Sequence, residues 1–225
     1  MTAYGTVAQF KTRTDRDDVL TAAWTTAIEE ILNAISRKID NICKVPDNYF
    51  VADAADVTKT LSGTGESFLE IPHAVSITSL SAKVDYTDTA YVLWDTPTTT
   101  YAGDGDWYAI AGEPNKPIFD RTPYTYLMVD PNGSYSYFPR AHKFWNIQLV
   151  GKFGYSVTVP ADIQEVCLAE AVILTKRFQG VMDDALGNAD LGQLIYRIKM
   201  SDLSRDAREF LLNGGWIPTM YSTQR

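Results

Sequence analysis

The sequence predicts an α+β protein in which N- and C-terminal helices form a helical bundle and an antiparallel β-domain is inserted between them. Three observations carry this reading. Leu20, Trp24, Ala27, Ile28, Ile31, Leu32, Ile35, Ile39 and Ile42 recur at helical spacing, as do Ile163, Val166, Cys167, Ile173 and Leu174. From about residue 51 the composition turns to Thr, Tyr, Val, Gly and Pro, which is strand and turn chemistry. Turn signals at Asp104-Gly105, Glu113-Pro114-Asn115 and Asp130-Pro131-Asn132-Gly133 then divide that block into short pieces. The boundaries that follow are 1–50 and 156–213 for the helical body, 51–155 for the β-rich insert and 214–225 for a C-terminal docking tail.

Residues 1–13 show no sustained period and read as an arm, with Tyr4, Val7 and Phe10 spaced to pack on a neighbour. Thr14-Asp15-Arg16-Asp17-Asp18 offers capping side chains and early negative charge, so a helix is expected over 17–44, ended by Pro46. Strands are expected at 67–71, 77–86, 91–93, 107–111, 125–129 and 144–153. A bend at Gly154-Tyr155-Ser156 leads to Pro160, suited to a first helical turn, and to a buried helix over 161–178 with Asp162 and Glu165 early and Lys176 and Arg177 late. Ala169 and Ala171 are small enough to let a neighbouring element approach closely. The two helices, each with an apolar stripe to cover, are expected to pack on each other, with Trp24 in the contact. The glycines of 179–192 predict a break, Leu194 to Leu211 a last helix, and Asn213-Gly214-Gly215 its stop.

A chain of 225 residues that is 45% hydrophobic can bury a sizeable core. Its net charge of -8 argues against a surface built to grip nucleic-acid phosphates. Cys43 and Cys167 lie in helical patterns without metal-ligand spacing and read as buried thiols in a reducing compartment. With no signal-like run and no stretch near the ~20 apolar residues of a membrane span, the chain reads as soluble and unsecreted.

Catalytic chemistry is hard to find. His73 and His142 lack a second ligand or base at motif spacing, and Asp104-x-Asp106 and Asp183-Asp184 read as solvated turns in preference to cation sites. Gly63-Thr64-Gly65 and Gly103-Asp104-Gly105 lack the strand, helix and further glycine of a phosphate loop. The aromatics Trp94, Tyr101, Trp107, Tyr108, Tyr124, Tyr126, Tyr135, Tyr137, Phe138, Phe144 and Trp145 either fill a β-core, the commoner arrangement, or form a sugar- or protein-binding face. No catalytic, cofactor or metal residue is assigned. In the tail, Gly214-Gly215 and Pro218 disfavour a helix, so Trp216, Ile217, Met220 and Tyr221 read as anchors for a partner.

Asp17-Asp18-Val19-Leu20, opening a long helix that ends near Pro46, and Gly154-Tyr155 followed by Val159-Pro160-Ala161-Asp162-Ile163, leading into an Ala-containing helix, are similar to the head-tail connector (adaptor, or head completion) proteins of tailed bacteriophages. The resemblance covers the two flanking helical parts, and the long central block departs from compact members. It implies a homo-oligomeric ring, commonly twelvefold, bound beneath the portal protein in the virion neck after assembly in the host cytoplasm. Such a ring extends the DNA channel, lets genomic DNA pass without sequence-specific binding, and offers a surface to the next tail or connector component. It needs no reaction, cofactor or membrane. An acidic wall holds phosphates weakly, which suits sliding DNA. The reading from another class is a carbohydrate-binding or glycan-cleaving phage tail protein, motivated by the aromatic, acidic β-block.

Overall fold

The computed structural model describes residues 3–14, 22–83, 88–97, 105–113, 115–118, 121–140, 145–185 and 202–217, without the side chains of 23, 113, 116 and 177–185. The architecture is α+β and divides into two compact units, Met1–Phe50 with Val159–Arg225, and Val51–Thr158. In the first, C-terminal helices pack against N-terminal helices; the second is an antiparallel sheet.

The first unit begins with α1 (Val7–Thr14), where an arm was expected. The signal is a capping box: the Gln9 amide donates to Thr6 Oγ1 at 3.2 Å, and the Thr6 amide donates to Gln9 Oε1 at 2.9 Å. These bonds satisfy orphan amides at the helix start, and Tyr4 and Phe10 are buried in the chain's own core. Thr14 therefore ends a helix; residues 15–21, where the next cap was expected, lie outside the described residues.

The long helix α2 (Ala22–Cys43) buries Ala27, Ile28, Ile31, Leu32, Ile35 and Ile39 along the expected stripe, with Trp24 only half-buried. It stops before Pro46 because Lys44 enters the left-handed region at φ 56° and the Val45 amide returns to the Asp40 carbonyl. Helix α3 (Ala161–Ala185) covers that stripe with Ile163, Val166, Cys167, Ala171 and Leu174. Ile173, expected on the buried face, is 47% exposed, and the position at stripe spacing is taken by Glu170. The break expected after 178 is also displaced, since α3 continues to Ala185. A helical glycine such as Gly180 costs only about 1 kcal/mol relative to Ala, too little to end a helix by itself.

Helix α4 (Arg205–Asn213) is capped at both ends. Ser204 Oγ accepts from the Ala207 amide, and at the other end Gly215 has φ 75° while the Gly215 and Trp216 amides return to the Leu212 and Leu211 carbonyls. This is a Schellman motif, which turns the residue after the glycine back toward the helix. The expected stop at Asn213-Gly214-Gly215 is present, and Trp216 is folded back by it.

The sheet contains β1 (Val57–Leu61), β2 (Phe68–Ala82), β3 (Val92–Trp94), β4 (Trp107–Glu113), β5 (Lys116–Ile118), β6 (Tyr124–Val129) and β7 (Ile147–Phe153). Its order is β1-β7-β2-β6-β4-β5, with β3 beside β2, and each pairing is antiparallel. The two strands expected at 67–71 and 77–86 are the single long β2. Pro72, which lacks an amide, sits where the pairing with β6 changes register between Glu70 and Ala74, a place where no ladder bond is lost. Strands β1 and β5 were not expected, β5 being three residues with Pro117 at its centre. The core contains Leu69, Leu80, Trp107, Leu127, Leu149 and Phe153 from four strands, β2, β4, β6 and β7.

Candidate functional site

Several groups that offered reactive chemistry have a structural assignment, while the side chains of Asp183 and Asp184 lie outside those described. Asp106 is not the solvated turn residue expected: it is buried, and its carboxylate accepts from the Asp95 amide at 2.8 Å and the Ser134 amide at 2.7 Å. Its partner in the motif, Asp104, lies outside the described residues, as does His142. Asp130 closes the expected turn, its side chain accepting from Asn132 and its carbonyl from Gly133. His73 is half-buried, which pushes its pKa below the usual imidazole value, and its carbonyl accepts from the Gly154 amide. Gly154, at φ 145°, leaves no room for a side chain, since a Cβ would lie 2.5 Å from Ala52 Cα. Among the described residues no group of three or more His, Cys, Asp or Glu side chains is placed to hold a metal ion, and no helix is long and apolar enough to cross a membrane.

Both cysteines are buried free thiols. Burial pushes each up to about 11, so neither supplies a thiolate nucleophile at neutral pH. Cys167 Sγ lies 3.7 Å from Ser36 Oγ in the α2–α3 contact.

Sequence reading missed two buried polar clusters. In one, Asp40 accepts from the Tyr4 hydroxyl and from the Asn48 amide at 3.0 Å, and pairs with Arg37 at 2.8 Å. The Tyr4 amide donates to Ser36 Oγ, so the N-terminal segment is stitched to α2 twice. Burial raises the Asp40 carboxyl above its usual range, and burial with the Asp40 hydrogen bond raises the Tyr4 phenol. In the other, the buried Glu170 carboxylate accepts from both the amide and the hydroxyl of Ser204, holding the start of α4 to α3. Asp40 and Glu170 sit one and three or four residues from apolar stripe positions, a placement that hints at buried acids without naming their partners.

The aromatic residues divide. Trp94, Trp107 and Phe138 are buried, and Trp94 is stacked with Tyr135 at 4.1 Å and Phe138 at 5.4 Å between ring centroids. Tyr137 and Trp145 are 62% and 60% exposed, while Tyr101 and Phe144 lie outside the described residues. In the tail, Trp216 packs edge-on against Phe50 with centroids 5.4 Å apart, and both Trp216 and Ile217 are half-buried. Trp216 thus has a receiver in its own unit, brought there by the Schellman motif. Met220 and Tyr221 lie outside the described residues. No protein-family model matches the chain, and no curated protein matches it significantly.

Proposed function

We propose that this chain is a structural head-tail connector (adaptor) protein of a tailed bacteriophage. Copies form a homo-oligomeric ring, commonly twelvefold in the resembling family, below the portal protein, extend the DNA channel and join the head to the tail or to a further connector. The fold in this reading is a helical bundle carrying an inserted antiparallel β-domain. One observation supports it: α2, which follows the first connector-like motif, and α3, which the second motif opens, stand more than a hundred residues apart in the chain yet pack in one unit, while residues between them form a separate sheet; residues 17–20 themselves lie outside the described residues.

Two further points support the reading. Several rings that made a sugar platform attractive, Trp94, Trp107 and Phe138, are spent on the core, and the two thiols and Asp106, among the groups considered as reactive, are committed to packing or hydrogen bonds. We assign docking on the portal or a neighbouring subunit to the tail positions Trp216, Ile217, Met220 and Tyr221, with Trp216 anchoring the tail on Phe50. Cryo-electron microscopy of the virion tests both statements. The expected map has a ring of this chain between portal and tail, its C-terminal tails touching the portal or the adjacent subunit. A neck without this chain sinks the connector reading, and tails remote from both surfaces sink the docking assignment alone.

A further inference from the structure

Trp145 is an exposed indole on a backbone that its own side chain disfavours. Its φ is 70°, in the left-handed region that a bulky residue rarely enters, and 60% of its surface is open. Two hydrogen bonds hold it there: its amide donates to Ser62 Oγ at 3.4 Å, and its carbonyl accepts from the Tyr91 hydroxyl at 2.6 Å. The next residue, Asn146, is buried and fixed three ways, accepting from the Gly63 amide on Oδ1, donating to the Pro139 carbonyl through Nδ2, and accepting from the Lys83 amide on its carbonyl. A Cβ on Gly63 would fall 1.9 Å from the Pro139 carbonyl oxygen, so this staple requires glycine there. The indole is presented on a rigid mount that core packing does not explain.

The segments that hold it carry cationic and apolar side chains. Lys83 Nζ lies 4.9 Å from the centroid of the Tyr91 ring, and Arg140 follows Pro139 with its side chain along Gly65. Neither cation takes part in an ion pair among the described residues. Leu93, which pairs with Ser81 on the sheet face opposite buried Trp94, is 65% exposed. An exposed aromatic anchor accompanied by an arginine is the composition of an interface centre.

We infer that Trp145, with Lys83, Arg140 and Leu93 on the segments that hold it, is one half of a head-to-tail contact with a second copy of this chain. The inference rests on the ring reading above and names the surface that reading lacks. Charge selects the occupant: the chain carries 28 acidic against 20 basic side chains, so a second copy offers an excess of carboxylates to these cations. Charge also selects the symmetry. A two-fold contact would bring cation against cation, whereas a heterologous contact sets these cations against a different surface of the next copy, and heterologous contacts generate a ring where the rotation closes.

Sedimentation velocity of the intact protein over rising concentration, at low and high salt, tests this. Wild type is expected to self-associate, less at high salt, and both Trp145→Asn and the double variant Lys83→Glu, Arg140→Glu are expected to weaken association about tenfold or more. Asn tolerates the left-handed backbone, so Trp145→Asn should retain the wild-type melting temperature, which separates lost contact from lost fold. A wild type that stays monomeric throughout, or variants that associate like wild type, overturns the proposal. So does oligosaccharide binding that shifts the indole fluorescence and disappears in Trp145→Asn, which would make this face a sugar platform. Virion rings that form intact with Trp145→Asn remove this contact and leave the connector reading standing. Self-association lost in Trp145→Asn, with no copy of the chain in the virion neck, does the reverse.

Discussion

Asp40 in the helical unit and Asp106 in the sheet unit are both buried aspartates, yet they are satisfied by different kinds of partner. Asp40 has Arg37, the Tyr4 hydroxyl and one backbone amide, that of Asn48. Asp106 has two backbone amides, those of Asp95 and Ser134. The difference follows from secondary structure. Inside a helix the amides are consumed by the carbonyls four residues back, so a buried acid there must recruit side chains. At strand ends and turns amides are left over, and a buried acid can satisfy them. The helical unit is therefore fastened by ionisable side chains, and the sheet unit by carboxylate-to-backbone staples backed by the Trp94 stack.

Truncation breaks this comparison most severely. Asp40→Ala removes the ion pair to Arg37 and the acceptor of the Tyr4 hydroxyl and is expected to cost about 3 kcal/mol, the lower end for a broken buried pair because Arg37 reaches partly to water. Asp106→Ala orphans two amides and is expected to cost about 2–4 kcal/mol at roughly 1–2 each. Denaturant unfolding of both variants measures this; a loss within roughly 0.5 kcal/mol, the range of ordinary surface sites, would show that the acid concerned is not structural.

A pH series sharpens the comparison through the sign of two shifts. The Asp40 carboxyl is raised above its ordinary 3.8, so the folded protein binds this proton more tightly than the unfolded chain. Its contribution to stability therefore grows as pH falls through the raised value, and is complete below 3.8. Glu165 is lowered from 4.5, first by its hydrogen bond from Arg13, so its contribution is present above 4.5 and lost as pH falls through the depressed value. Thermal melts of Asp40→Asn against wild type are expected to diverge in favour of wild type on acidification; parallel profiles would contradict the raised carboxyl.

The smallest effect belongs to the paired charges between α1 and α3. Arg13 donates twice to Glu165 at 2.5 Å, but both side chains are substantially exposed. Arg13→Ala is expected to cost about 0.5–1 kcal/mol, less at high salt. A loss above roughly 2 kcal/mol in the same melts would mean that this ion pair, and not Tyr4 and Phe10, holds α1 in place.

Periodicity and composition determined the α+β class, the stripe from Ala27 to Ile39, its partner from Ile163 to Leu174, and the stop at Asn213-Gly214-Gly215, because these are local signals of spacing and backbone preference. The capping box of α1 was equally legible at Thr6 and Gln9, and an arm was read there only because eight residues are too few to show a period. Tertiary structure decided the rest. Which aromatics fill the core, that β2 runs unbroken through Pro72, that Trp216 meets Phe50, and which partners the buried Asp40, Asp106, Glu170 and Asn146 have all depend on groups distant in the chain. A side chain's hydrogen-bonding capacity is written in the sequence, but what answers it is set by which other segments the fold brings within about 3 Å.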